Sequence, residues 1–208
     1  MKNLKSILVI VFIAVVVSSC NDNERTDLES VTSTTAINIH APVTTDYTVN
    51  PPLESGDFTK FSFKTGTVVT NDSWDIALRG TTILVNGGTQ IGLIDEPERT
   101  GNGALVLESG TFESIIEAPA DTNFSQDASG VYALPKGSGN GWYTYNGQTN
   151  LISPIAGKVI VIKTNDGHYA KMEIVSYYKD NDTSNLDNGR YYTFNYVYNP
   201  NTGDKSLE

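Results

Sequence analysis

The stretch from Lys158 to Tyr178 constrains the fold more than any other part of the chain. Val159 and Val161 alternate with Ile160 and Ile162, so a strand here is apolar on both faces, as a strand covered on two sides must be. Asn165-Asp166-Gly167 tolerates positive φ and separates two β-branched and aromatic runs, which predicts a hairpin. The return strand puts His168, Ala170, Met172 and Ile174 on one face. Tyr169, Lys171, Glu173, Val175 and Tyr177 fall on the other, a half-buried pattern.

Short runs of the same kind recur along the chain. Strands are predicted over 36–40, 57–70, 73–78, 81–85, 104–107, 141–145 and 190–198, with turn clusters such as Pro51-Pro52, Gly87-Gly88 and Gly137-Ser138-Gly139 between them. No window sustains helical spacing of apolar residues, and 18 glycines punctuate the sequence. The class that follows is all-β, an antiparallel sandwich or open barrel. Phe61 and Phe63 share one face of their strand, with Lys60, Ser62 and Lys64 on the other. Trp74, Ile76 and Leu78 are expected together opposite Asp75, with Trp74 a packing residue. In the last strand Tyr192, Phe194, Tyr196 and Tyr198 form an aromatic ladder suited to closing a sheet.

The N-terminus carries an address. Lys2 and Lys5 precede an apolar run from Ile7 to Val17, too short for the ~20 residues of a bilayer span. Val17-Ser18-Ser19 leads into Cys20, the chain's single cysteine, in the manner of a lipoprotein signal. Residues 1–19 are therefore expected to be removed, Cys20 to be lipidated, 20–35 to form a polar tether, and 36–208 to form one domain. Attachment to a membrane is then through lipid alone. Removing 1–19 takes away two lysines and no acid, so the formal charge becomes 12 − 24 = −12. Such acidity argues against nucleic acid as a partner. With Cys20 lipidated, no thiol remains for a disulfide or a metal.

FSFKTGTVV, SWDIAL, GNGALVLESGTF, the Gly141-Trp142-Tyr143-Thr144-Tyr145 block, KVIVIKTNDGHYAKMEIVSYY and YYTFNYVY occur in that order between residues 57 and 198. In this the chain resembles the HmuY family of Bacteroidetes outer-membrane lipoproteins. The resemblance implies a hand-like all-β fold with a cleft, capture of haem or another porphyrin, and a TonB-dependent outer-membrane receptor as partner. It also implies iron held by side chains, commonly two histidines and in some members methionine. Here the chain departs from the pattern. No histidine follows Gly141-Trp142, and 127–140 is short, glycine-rich and free of His and Met.

The resemblance places the pocket between Asp127 and Leu151, where Tyr132, Tyr143 and Tyr145 are the candidate haem-contacting residues, since tyrosine also ligates ferric haem. His40 lies in the first strand, away from that segment. His168 and Met172 share a strand face but are four residues apart, ~13 Å at ~3.3 Å per residue, too far for two ligands of one iron. His168 is expected to be an exposed residue beside the turn and Met172 to fill the core.

Asp180-Asn181-Asp182-Thr183-Ser184 opens like a calcium loop, but Asn185 and Tyr191 occupy the positions that require Gly and Glu. No G-x-S-x-G, H-E-x-x-H, phosphate-cradling loop or cysteine nucleophile is present, and no enzyme is expected. Three functions stay open at this point: porphyrin capture with altered ligation, a module for a different ligand or a receptor partner, and a carbohydrate-binding or surface-layer component.

Overall fold

The computed structural model describes residues 28–208. The signal segment 1–19, Cys20 and the first part of the expected tether lie outside the described residues. The predicted hairpin forms as β11 (Lys158–Lys163) and β12 (Tyr169–Tyr178), paired antiparallel with Ile160 opposite Met172, and Gly167 takes φ +83 in the turn. It sits in the middle of a five-stranded antiparallel sheet. β8 (Ala104–Ser109) pairs with β11, β13 (Gly189–Asn199) pairs with β12, and β1 (Thr32–His40) closes the far edge on β13. β1 starts inside the segment expected to be tether, with Thr32 and Thr34 opposite Tyr198 and Tyr196.

A second sheet faces the first. Its four strands, also antiparallel, are β5 (Thr67–Val69), β4 (Thr59–Ser62), β6 (Ile76–Arg79) and β7 (Thr82–Val85), in that spatial order. Two small hairpins complete the described strands: β2 (Thr44–Asp46) with β3 (Leu53–Ser55), and β9 (Tyr143–Asn146) with β10 (Leu151–Pro154). No α-helix occurs among the described residues, so the all-β sandwich expected from the sequence is the fold.

The interior lies between the two sheets. Phe61, Phe63, Ile76, Leu78 and Val85 from one sheet meet Ile160, Ile162, Met172, Tyr192 and Phe194 from the other. The aromatic ladder of β13 packs edge-on into β4, with Phe61 and Phe194 ring centroids 5.2 Å apart. Both sheets are also covered on their outer faces. Val161 and Tyr169 pack under Ala118 and Leu207, and Val159 packs with Phe112 and Val197. This explains why Val159–Ile162 is apolar without alternation.

Three sequence expectations are corrected by this double covering. Lys171, expected on a solvent face, is buried, and its Nζ donates to the carbonyls of Phe112 at 2.7 Å and Ile115 at 2.9 Å because the 110–118 segment lies over it. Trp74 is buried as expected, but with Phe58, Ala77 and Leu84 on the outer face of the four-stranded sheet rather than with Ile76 and Leu78. Regular pairing begins only at Ile76, so the two-residue period does not extend back to Trp74. In β12, register shifts between Ile174 and Ser176 and between Ser176 and Tyr178 break the alternation and bring both Tyr177 and Tyr178 into the core.

Candidate ligand-binding site

The three tyrosines placed in the pocket by resemblance do not share one environment. Tyr143 is buried beside Trp142, ring centroids 4.9 Å apart, and its hydroxyl receives Thr81 Oγ1 at 3.3 Å. Tyr145 is 48% exposed, and its hydroxyl donates to Asn150 Oδ1 at 2.6 Å across the β9–β10 hairpin. Tyr132 is half-buried against the Trp74 cluster, on the outside of the four-stranded sheet. Among them, Tyr145 alone presents a largely open ring.

The histidines stand at opposite ends of the five-stranded sheet. His40 is opposite Tyr191 and stacks on it at 4.3 Å, while Tyr169, next to His168, is opposite Asn199. Eight residues of β13 separate those two levels, about 26 Å at ~3.3 Å per residue. Two axial ligands of one iron lie only ~4 Å apart, given bonds of about 2 Å. Met172 is fully buried in the core. His168 is not the exposed residue expected. Its side chain is 14% exposed, with Nδ1 3.0 Å from Asp166 Oδ1 and Nε2 3.3 Å from Thr202 Oγ1.

A cleft of about 470 Å³ opens at the His168 end, between Phe63, Lys64, Thr65, Tyr196 and Tyr198. Lys64, Asp166 and His168 pair with one another there. Asp166 sits 3.4 Å from Lys64 Nζ and receives the Tyr198 hydroxyl at 3.0 Å. Burial alone would raise the Asp166 carboxyl, but hydrogen bonds from Thr164, His168 and Tyr198 outweigh it and bring it to about 2. Behind the cleft, Asp75 is buried and accepts from Phe63 N at 2.7 Å and Asn165 N at 2.8 Å, which ties the hairpin turn to the four-stranded sheet. Burial pushes its carboxyl up to about 6 despite those bonds.

The opposite end of the sandwich carries a smaller cavity of about 270 Å³, past the β6–β7 turn, lined by Leu53, Glu54, Arg79, Leu93, Ile94 and Lys136. Thr81 in that turn links it to the Gly141-Trp142 block, since the Trp142 indole N–H donates to Thr81 O at 3.1 Å. Lys136 is the one residue of the 127–151 segment on this cavity wall, with Nζ 2.8 Å from Glu54.

The wall formed by residues 92–94 is pinned by a buried ion network. Glu96 accepts the backbone N–H groups of Ile91, Gly92 and Leu93, each at 2.9 Å. Arg99 Nη2 joins Glu96 Oε1 at 2.6 Å to Asp127 Oδ2 at 2.9 Å, and all three side chains are at most 2% exposed. Asp127 also accepts Val85 N and Ala133 N. Burial would raise the Glu96 carboxyl, but the three amides and Arg99 hold it below its usual value. At Asp127 burial prevails and raises it.

Sequence reasoning passed over Arg79, Lys136 and this network. The i, i+3 spacing of Glu96 and Arg99 gave no signal, because it brings side chains together on a helix and residues 91–100 form a loop. Arg79 offered none, because an arginine between an apolar run and Gly80 reads as a strand end facing water.

In comparisons with known proteins, the family model described as HmuY protein matches residues 54–196, more than half of the chain. No curated protein matches. Among solved structures, a candidate lipoprotein from Bacteroides fragilis is similar at 14% identity and TM-score 0.44, over 69% of this chain and 83% of that one. A candidate HmuY-like haem-binding protein from Bacteroides vulgatus is similar at 16% identity and TM-score 0.44, over 69% and 86%. The apo form of a HmuY analogue from Tannerella forsythia is similar at 13% identity and TM-score 0.42, over 84% and 100%.

Proposed function

Because this chain belongs to the HmuY family, we propose that it is a lipid-anchored binding protein of the outer membrane that captures haem or a related porphyrin without a pair of side-chain ligands on the iron. The family match over residues 54–196 carries the binding role. The separation of the two histidines carries the altered ligation: they do not fit a bis-imidazole site, and Met172 is enclosed by the core. Lipid on Cys20 would supply the anchor. No helix among the described residues is long and apolar enough to cross a membrane. A TonB-dependent receptor is the partner this role calls for.

Titration of the soluble domain with haemin, followed by absorbance, tests the reading. The expected complex lacks the sharp bands of a six-coordinate low-spin haem, and Tyr145→Phe shifts its spectrum if the exposed tyrosine supplies an oxygen ligand. Low-spin bands that vanish in His168→Ala or His40→Ala would overturn the ligation. Absence of any spectral change would overturn porphyrin capture and leave the second reading, a module for a non-haem ligand or a receptor partner, which the histidine separation also favours.

A further inference from the structure

Arg79 presents an anomaly that the fold alone does not account for. The residue is 1% exposed, its Nη1 donates to the carbonyls of Gly56 at 2.9 Å and Ile94 at 2.5 Å, and its guanidinium lies 4.1 Å from the Phe58 ring centroid. None of these contacts carries a full negative charge. Among the described residues no carboxylate oxygen comes within 4.0 Å of it, and its Nε has no hydrogen-bond partner. Among the described residues Arg99, the other arginine with an enclosed side chain, also has an unpartnered Nε but is held between two carboxylates. A buried cation without a counter-ion is costly, and an unpartnered buried donor adds to that cost.

The surroundings of Arg79 say what would complete it. It lines the cavity of about 270 Å³ together with the apolar side chains of Leu53, Leu93 and Ile94 and the charged pair Glu54 and Lys136. Glu54 is engaged by Lys136, and Asp95 accepts Gly56 N at 2.7 Å on the exposed side of the loop. Asp95 is exposed and Glu54 half-buried, and neither carboxylate reaches the enclosed guanidinium. A planar fork of donors beside apolar side chains suits a carboxylate, which accepts two parallel N–H bonds.

We propose that this cavity is a carboxylate-binding site, in which Arg79 receives the carboxylate of a ligand whose apolar body lies against Leu53, Leu93 and Ile94. The site does not depend on porphyrin capture. The carboxylate can come from a porphyrin propionate or from a free apolar acid.

Two-dimensional NMR of the lipid-free chain titrated with hexanoate tests the proposal, with hexanol as the neutral control. Hexanoate at millimolar concentration should shift the Arg79 Nε–H signal and the amides of Gly92, Leu93 and Ile94 saturably, and hexanol should not. Lys136→Gln, which leaves the core untouched, should weaken hexanoate roughly fivefold, as for one lost polar contact. Arg79→Lys should abolish the effect while its amide spectrum remains that of a folded chain. No saturable shift with hexanoate, or equal shifts with hexanol, would overturn the proposal. Competition by protoporphyrin IX but not by its dimethyl ester would support the site and name a propionate as the source. Hexanoate binding without such competition would support it with a free acid as the source, whatever haemin does in its own titration.

Discussion

Replacing Arg99 by methionine should destabilise the protein by about 4 kcal/mol, because two carboxylates would be left in a buried site with no cation between them. The figure follows from what each acid keeps. Glu96 retains three backbone N–H donors and Asp127 retains two, so neither becomes wholly unsatisfied. What is lost is two hydrogen bonds between charged groups, at 2.6 and 2.9 Å, worth roughly 1.5–3 kcal/mol each. For a domain of this size the midpoint of thermal unfolding should fall by about 8–16 °C, at ~2–4 °C per kcal/mol. Urea unfolding followed by tryptophan fluorescence is the assay, since the Trp74 ring lies 5.7 Å from the Arg99 guanidinium and reports on the same layer. pH distinguishes lost charge pairing from lost packing. Without Arg99 the Asp127 carboxyl, already raised by burial, loses a group that holds it down and Glu96 loses one of its stabilising partners, so the variant's deficit should narrow as pH falls through the carboxylate range. A loss below about 1 kcal/mol, or a deficit independent of pH, would show that solvent reaches the network and that the reasoning from burial is wrong.

Asp75 sets a second pH dependence: its carboxyl is raised from 3.8 to about 6, so the folded chain holds a proton there that the unfolded chain has released. The resulting penalty is absent below the unfolded value and grows to ~3 kcal/mol as pH rises past the folded one. Urea midpoints across that window should fall with rising pH, and Asp75→Asn should flatten the trend. Met172→Ala, in the fully buried core, should cost about 2–5 kcal/mol in the same assay, whereas Val175→Ala on the open face of β12 should fall within ~0.5 kcal/mol. Cys20→Ala should move the protein from the membrane fraction to the soluble fraction with an unchanged circular dichroism spectrum, and membrane retention would reject the lipid anchor.

The parts of the fold that were legible in the sequence are those in which a local rule and the tertiary structure agree. Asn165-Asp166-Gly167 states its turn chemistry outright, and Val159–Ile162 states burial on two faces, so the central hairpin and its place in a covered sheet could be read directly. β2, β3 and β10 have three or four residues each, too few for a period to show, and were missed. Lys171 was given the right face but not its burial, and Trp74 the wrong face, for a related reason. Which side of a strand is covered depends on the 110–118 segment and on where β6 begins, and neither is written in the strand itself. The tyrosines show the same limit at the site. Resemblance located the segment between Asp127 and Leu151, but order along the chain does not tell which way Tyr132, Tyr143 and Tyr145 point.

The two ends of the sandwich differ in a way that bears on function. At the His168 end, Lys64, His168 and Tyr198 all converge on Asp166, so these groups satisfy one another. At the other end, a guanidinium is enclosed by carbonyls and a phenyl ring in a chain whose formal charge without residues 1–19 is 12 − 24 = −12. With so many acids, an internal partner for Arg79 would cost the sequence a single substitution, as the pairing of Arg99 with Glu96 and Asp127 demonstrates. Glu54, Asp95 and Glu96 attract it through space, but none brings a carboxylate oxygen within ion-pair distance of the guanidinium. An enclosed positive charge facing a cavity therefore selects for an anionic group that arrives from outside, and the apolar wall held in place by Glu96, Arg99 and Asp127 selects for what that group is attached to.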